Sequence, residues 1–232
     1  MKYFILKTST EAKKTATIAG LEAGFYIPDD PLSQLELSMW EFPKFKPKFC
    51  KLVFKRGFRM VDFIYPSTMG SCGFIISERI KNIIRDFNLM PNKLYQLPVY
   101  EHKGVFYNYF LLQLVKSHLD YSMIDFEKSK FYKEEREFNK SKREFEWGNN
   151  IENLSIKNSE EYGVIIENMK NPFIRIFHRK LVLHKKPKDL FAIHNVVGSN
   201  YIISERLKLL LEEMKATGLE DFVKIEIEHN EE

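Results

Sequence analysis

The chain has 232 residues, a formal net charge of +4, 44% hydrophobic residues and 29% charged residues. That length can bury a sizeable core, as one large domain or two closely packed lobes, and the composition is that of a soluble globular protein. Ten glycines leave little room for glycine-rich phosphate loops, and two distant cysteines, Cys50 and Cys72, support neither a disulfide framework nor a zinc cage but a reducing compartment.

From the N-terminus, residues 3–6 read as an opening strand. The apolar run around them is too short for a signal peptide. No later run reaches transmembrane length, Tyr109–Val115 being the nearest, so a cytoplasmic protein without a membrane partner is expected. Residues 8–34 carry Gly20, Gly24, Pro28 and Pro31 and read as irregular structure with room for one short helix. Residues 35–42, with Trp40, read as a strand. Segment 44–59 then carries seven positive charges and no carboxylate, interleaved with Phe45, Phe49, Phe54 and Phe58. Cations and aromatic faces together suit a nucleic-acid backbone and its bases, but the commoner use of such alternation is a pair of strands with aromatics inward and lysines outward. Met60–Tyr65 continues as a strand, and 66–73 reads as a loop.

The next stretch is Phe74-Ile-Ile-Ser-Glu-Arg-Ile-Lys81, and the chain repeats it as Tyr201-Ile-Ile-Ser-Glu-Arg-Leu-Lys208. Behind each copy, Ile80, Ile83, Ile84 and Phe87, or Leu207, Leu210, Leu211 and Met214, fall at the i, i+3, i+4, i+7 spacing of an amphipathic helix. Ser77 and Ser204 stand where an N-cap hydroxyl accepts from a free N–H, and Glu78 and Glu205 suit the positive helix end. Arg79 and Arg206 have no local partner and are expected to meet a carboxylate on a neighbouring lobe.

Leu94–Tyr100 and Val105–Leu114 flank a Gly-ending connector and read as a β-hairpin. Residues 120–131 read as irregular. In 128–147, Phe131, Phe138 and Phe145 recur every seven residues, which predicts a solvated helix or an extended excursion, with Glu137 and Lys140 as an i, i+3 pair. A division near residue 148 would then give an N-terminal lobe, 1–147, and a C-terminal lobe, 148–232. The second half reads as a strand (151–156), a helix capped by Ser159, strands at 173–183 and 190–196, the second copy, and a terminal strand in which Val223, Ile225 and Ile227 alternate with charges. The fold class is α+β (mixed α/β), two packed lobes each with a strand–Ser-capped helix–strand unit.

No constellation specifies a reaction. Ser77 lacks the flanking glycines of a nucleophile elbow, and a carboxylate in the first helical turn repels an anion there. His178 and His184 would lie about 20 Å apart on one strand, too far to share an ion with His194. Asp120, Asp125, Glu127 and Ser129 are polar enough for acid–base work, but such clusters more often hydrogen-bond within a turn. No catalytic, cofactor-binding or metal-ligating residue is therefore assigned.

The repeated phrase, Asp125-x-x-x-Ser129-x-Phe131, Asp189-Leu-Phe-x-Ile, and the closing Thr217-Gly-Leu-Glu-Asp-Phe222 resemble, over residues 70–228, a large bacterial family once labelled a domain of unknown function. Its members are immunity proteins of polymorphic-toxin systems. The resemblance implies a non-enzymatic protein that binds and neutralises a cognate protein toxin, with no cofactor. The alternative from the residues alone is nucleic-acid binding by segment 44–59, through Lys48, Lys51, Lys55 and Arg56.

Overall fold

The structure is a computed structural model that describes residues 2–9, 18–21, 30–54, 60–64, 72–100, 104–116, 118–169, 171, 173–193 and 201–230. Strands β1 (Tyr3–Leu6), β2 (Ile18–Leu21), β3 (Leu52–Phe54), β4 (Phe63–Ile64) and β5 (Gly73–Ser77) lead into helix α1 (Glu78–Ile84). Strands β6 (Asn92–Tyr100), β7 (Phe106–Leu114), β8 (Lys130–Asn139) and β9 (Glu144–Leu154) precede α2 (Ser159–Asn168). Next come β10 (Ile174–Leu183), β11 (Leu190–Phe191), β12 (Tyr201–Ser204), α3 (Glu205–Glu213), β13 (Val223–Ile225) and β14 (Ile227–His229). The class is α+β, with three sheets in the orders β2-β3-β6-β7-β5-β4, β11-β12-β1-β13 and β14-β10-β8-β9.

The apolar run of β5 is continuous because both its faces are covered. Phe74 and Ile76 join a large core with residues from both ends of the chain, among them Tyr3, Tyr162, Ile202 and Leu207. Ile75 faces the other way, into a smaller cluster with Leu52, Leu97 and Leu111. Cys50 and Cys72 are buried free thiols, and burial pushes Cys72 up to about 11.

The two copies of the repeated phrase pair alike. Phe63 and Ile64 stand opposite Ile76 and Ile75, as Leu190 and Phe191 stand opposite Ile203 and Ile202. On the far side, Ser77 faces Tyr109 of β7 and Ser204 faces Tyr3 of β1, all antiparallel. The orders β4-β5-β7-β6 and β11-β12-β1-β13 therefore match, with the N-terminal strand taking in the second sheet the place that β7 holds in the first. The rings of Phe74 and Tyr201, the same position in the two copies, touch at 4.9 Å between centroids. A position that meets its own equivalent marks an approximate two-fold axis.

Several expectations change. Residues 128–147 are not a helix but the β8–β9 hairpin, in which Phe138 sits directly across from Phe145. The side chain of Asn139 accepts from the N–H groups of Ser141 and Lys142, closing the turn between them. The division near residue 148 falls inside β9, whose pairing with β8 continues on both sides. Residues 35–42 form no strand; a short 3₁₀ turn, Gln34–Glu36, stands there, and Ser38 Oγ accepts from the N–H of Trp40. Helix α2 is capped by Asn158, not Ser159. The hairpin of β6 and β7 is as expected, while its connector at 101–103, most of 8–34, the loop at 66–71 and residues 194–196 lie outside the described residues.

Gly218 packs against the carbonyl of Phe63 at φ +86°, where a Cβ would overlap that oxygen, while Gly104 holds φ +81° with open space around it. Gly104→Ala therefore reports backbone strain alone, and Gly218→Ala adds a collision with main chain. Urea denaturation should show a loss of about 1 kcal/mol for the first and at least about 3 kcal/mol for the second.

Candidate partner-binding site

Ser77 and Ser204 cap their helices, accepting at Oγ from the N–H groups of Ile80 and Leu207 at 3.4 and 3.3 Å. Each hydroxyl also donates to a carboxylate fifteen residues upstream, Ser77 to Asp62 at 2.8 Å and Ser204 to Asp189 at 2.7 Å. The arginine two positions on holds the same carboxylate: Arg79 grips Asp62 with both Nε and Nη2, and Arg206 donates to Asp189 at 2.8 Å. The partner of each arginine thus belongs to its own copy, not to a neighbouring lobe.

The copies do exchange the segments that follow their helices. Asp62 accepts from the N–H and hydroxyl of Thr217 beyond α3, and Arg79 Nη1 donates to the carbonyl of Met214 at 2.9 Å. Reciprocally, Asp189 accepts from the N–H of Asn88 beyond α1 at 3.0 Å, and the Arg206 guanidinium lies over the ring of Phe87 at 4.4 Å. The Ser77 hydroxyl is thus committed on two sides, to the helix start and to Asp62. Glu78 and Glu205 sit at the helix starts, where Asn108 donates to the first and Lys2 pairs with the second.

Burial pushes the Asp62 carboxyl upward, but hydrogen bonds from Arg79, Thr217 and Ser77 outweigh it and hold the group below the usual carboxylate range. The same balance, with Arg206, Ser204 and Asn88 as donors, lowers Asp189.

The Asp125–Ser129 cluster is also structural. Asp125 Oδ1 accepts from the N–H of Lys128 and Oδ2 from Asn230, while Ser129 Oγ accepts from the N–H of Val182 at 2.9 Å. Together they clip the turn before β8 to β10. Glu127 is exposed, and the side chain of Asp120 lies outside the described residues. His178 stands opposite Phe131 in the β8–β10 ladder, His184 is exposed at the end of β10, and His194 lies outside the described residues. Among the described residues, no group of three or more His, Cys, Asp or Glu side chains could hold a metal ion, and no helix is long and apolar enough to cross a membrane.

In the basic segment, Phe54 is buried, Phe49 packs on Tyr95, Lys48 pairs with Asp30 at 2.9 Å, and Lys51 lies over the ring of Tyr100. Lys55, Arg56 and Phe58 lie outside the described residues.

A different group stands out on the surface. Phe138, Phe145 and Phe173 are 50%, 39% and 41% exposed, yet they touch one another. Phe138 meets Phe145 edge-on at 5.1 Å, and Phe145 stacks on Phe173 at 5.1 Å. Arg136 ties them together: its N–H donates to the carbonyl of Phe173, its Nη2 to that of Phe145, and its guanidinium lies 5.1 Å from the Phe145 ring centroid. The heptad reading of 128–147 concealed this cluster. The turn-forming Asn139 between Phe138 and Phe145 was the signal that would have placed the two rings side by side.

No protein-family model matches the chain, and no curated protein matches it. The resemblance to immunity proteins therefore rests on the quoted residues.

Asp62 accepts hydrogen bonds from Ser77, from two nitrogens of Arg79 and from two atoms of Thr217, whereas Asp189 accepts from Ser204, Arg206 and Asn88. Asp62→Ala should cost about 3–5 kcal/mol by stranding these donors and a cation, and Asp189→Ala less, as read by chemical denaturation. Both carboxyls are depressed in the fold, so their contribution is complete above the unfolded pKa of about 3.9 and is lost as pH falls through the lower folded values. The double Asn variant should show a shallower fall in stability below about pH 4 than the parent chain.

Proposed function

We propose that this chain is an immunity protein, a non-enzymatic cytoplasmic inhibitor that neutralises a cognate bacterial toxin by binding it. The observation that carries the reading is the exposed Phe138–Phe145–Phe173 cluster with Arg136 over its central ring. Aromatic rings and arginine dominate the anchors of tight protein interfaces, and rings already packed on one another lose little freedom on binding. The polar residues that a hydrolase would draw on are committed elsewhere, Ser77 to Asp62 and Ser129 to β10. In this reading the two copies of the repeated phrase form two packed lobes, each a strand–Ser-capped helix–strand unit, that act as scaffold. The β8–β9 hairpin is the working surface. Nucleic-acid binding by 44–59 is the weaker reading, because Phe49 and Phe54 pack against protein and Lys48 is already paired.

Blocking a toxin calls for nanomolar binding, near −12 kcal/mol, through about 800 Å² of each partner. Co-expression with the toxin encoded beside this chain's gene tests it. The parent chain should restore growth and co-purify with the toxin. Phe138→Ala/Phe145→Ala/Phe173→Ala, with its melting temperature kept, should bind at least 30-fold more weakly, about 2 kcal/mol. A parent chain that neither rescues growth nor co-purifies would end the proposal, and a fully active triple variant would move the interface elsewhere.

A further inference from the structure

Where β8, β9 and β10 meet the turn before β8, an open groove of about 730 Å³ has Lys130, Lys157 and Arg179 in its lining. Neighbouring lysines have carboxylate partners: Lys133 on β8 pairs with Glu152 at 2.6 Å, Lys180 on β10 with Glu228 at 2.8 Å, and Lys128 in the turn before β8 with Asp125 at 3.4 Å. Among the described residues, no carboxylate stands within ion-pair distance of Lys130, Lys157 or Arg179. Three cations left unpaired around one concavity raise its potential in a way that scattered surface lysines do not.

Arg179 is placed there by a defect in the ladder. The β8–β10 register shifts between His178 and Lys180, so Arg179 is the extra residue of a bulge. Bulges turn a side chain out of the regular alternation and are common next to binding sites. Its guanidinium lies 5.4 Å from the ring centroid of Tyr132, which in turn stacks on Phe177. A guanidinium supported on a ring face keeps its in-plane N–H groups free for a carboxylate fork.

We propose that this groove binds an acidic peptide segment, a loop or tail of the protein partner carrying successive carboxylates; the identity of that partner as a toxin rests on the preceding reading. The groove's own chemistry selects a peptide over a nucleic acid. Its floor rings, Phe126 and Phe131, are buried and stacked on each other at 5.7 Å, leaving no face for a base. Glu127, exposed on the rim, repels any anion brought against it, but it can accept from peptide N–H groups, donors that a phosphodiester backbone lacks. Ser155 and Asn153 add neutral donors and acceptors suited to main chain. Lys130 and Phe138 lie on the same strand, roughly 27 Å apart along it. A patch of 800 Å² is roughly 30 Å across, so one partner can span both the cationic groove and the aromatic cluster.

Fluorescence anisotropy on the full chain tests the groove with three probes: a labelled decapeptide of alternating glutamate and glycine, a labelled ten-nucleotide thymidine strand, and inorganic phosphate as competitor. The peptide should saturate, weaken with rising salt, and bind at least tenfold more weakly to Lys130→Glu/Arg179→Glu and to the neutral Lys130→Gln/Arg179→Gln, both with unchanged melting temperatures. Lys48→Glu/Lys51→Glu should leave peptide binding as it is. Equal peptide affinity in the groove variants overturns the proposal. So does tighter binding of the thymidine strand at the same residues, or displacement of the peptide by equimolar phosphate. The toxin rescue assay does not use this peptide, so failure there leaves the groove result standing, and failure here leaves the aromatic anchor intact.

Discussion

A carboxylate removed from water is costly unless donors surround it, and Asp62 and Asp189 are each held by three residues from two separate pieces of chain. The serine that starts a helix, the arginine in its first turn, and the segment that leaves the other copy's helix all converge on one pair of oxygens. The start of each helix is thereby fixed to the short strand beside it, and each copy is clamped to its counterpart. Remove the carboxylate and the cap, the ion pair and the inter-copy junction all lose their acceptor at once. The rest of the core, including the contact between Phe74 and Tyr201 at the axis, is built on that geometry.

Much of this was legible in the residues. The repeated phrase marked two helices with the same cap and the same apolar stripe, and Ser77 and Ser204 occupy their cap positions. The common acceptor was not seen, although its signal was present: an aspartate followed by two apolar residues stands fifteen positions before each cap serine. Asp189-Leu-Phe stands out in the sequence and Asp62-Phe-Ile does not, because fifteen residues separate each aspartate from its serine and no helix or strand period links them. Strand exchange was beyond reach for a different reason. That Tyr3 should stand where Tyr109 stands in the other sheet is a fact of topology, and alternation within a four-residue strand does not name its neighbour. The hairpin at 130–154 was misread because phenylalanines seven apart suit a helical stripe, while the same spacing across a turn makes cross-strand neighbours.

The division of labour follows from where polar groups are spent. In the duplicated part, the cap serines, the arginines and both aspartates are consumed internally. At the β8–β9–β10 sheet, cations line a groove with no carboxylate in ion-pair distance among the described residues, and aromatic rings gather at a hairpin end. The β8–β9–β10 sheet stands apart from both clamps, so sequence can change there without disturbing them.

The placement of β1 has a consequence for how the chain comes into being. Tyr3 pairs with Ser204 and Ile225, and Asp62 waits for Thr217, so β1 is made long before the strands it pairs with. During synthesis the apolar residues of β1 emerge long before the strands that cover them, and neither clamp can close until the final helix has left the ribosome. Contacts of such sequence separation make folding slow and leave edges open to wrong pairing.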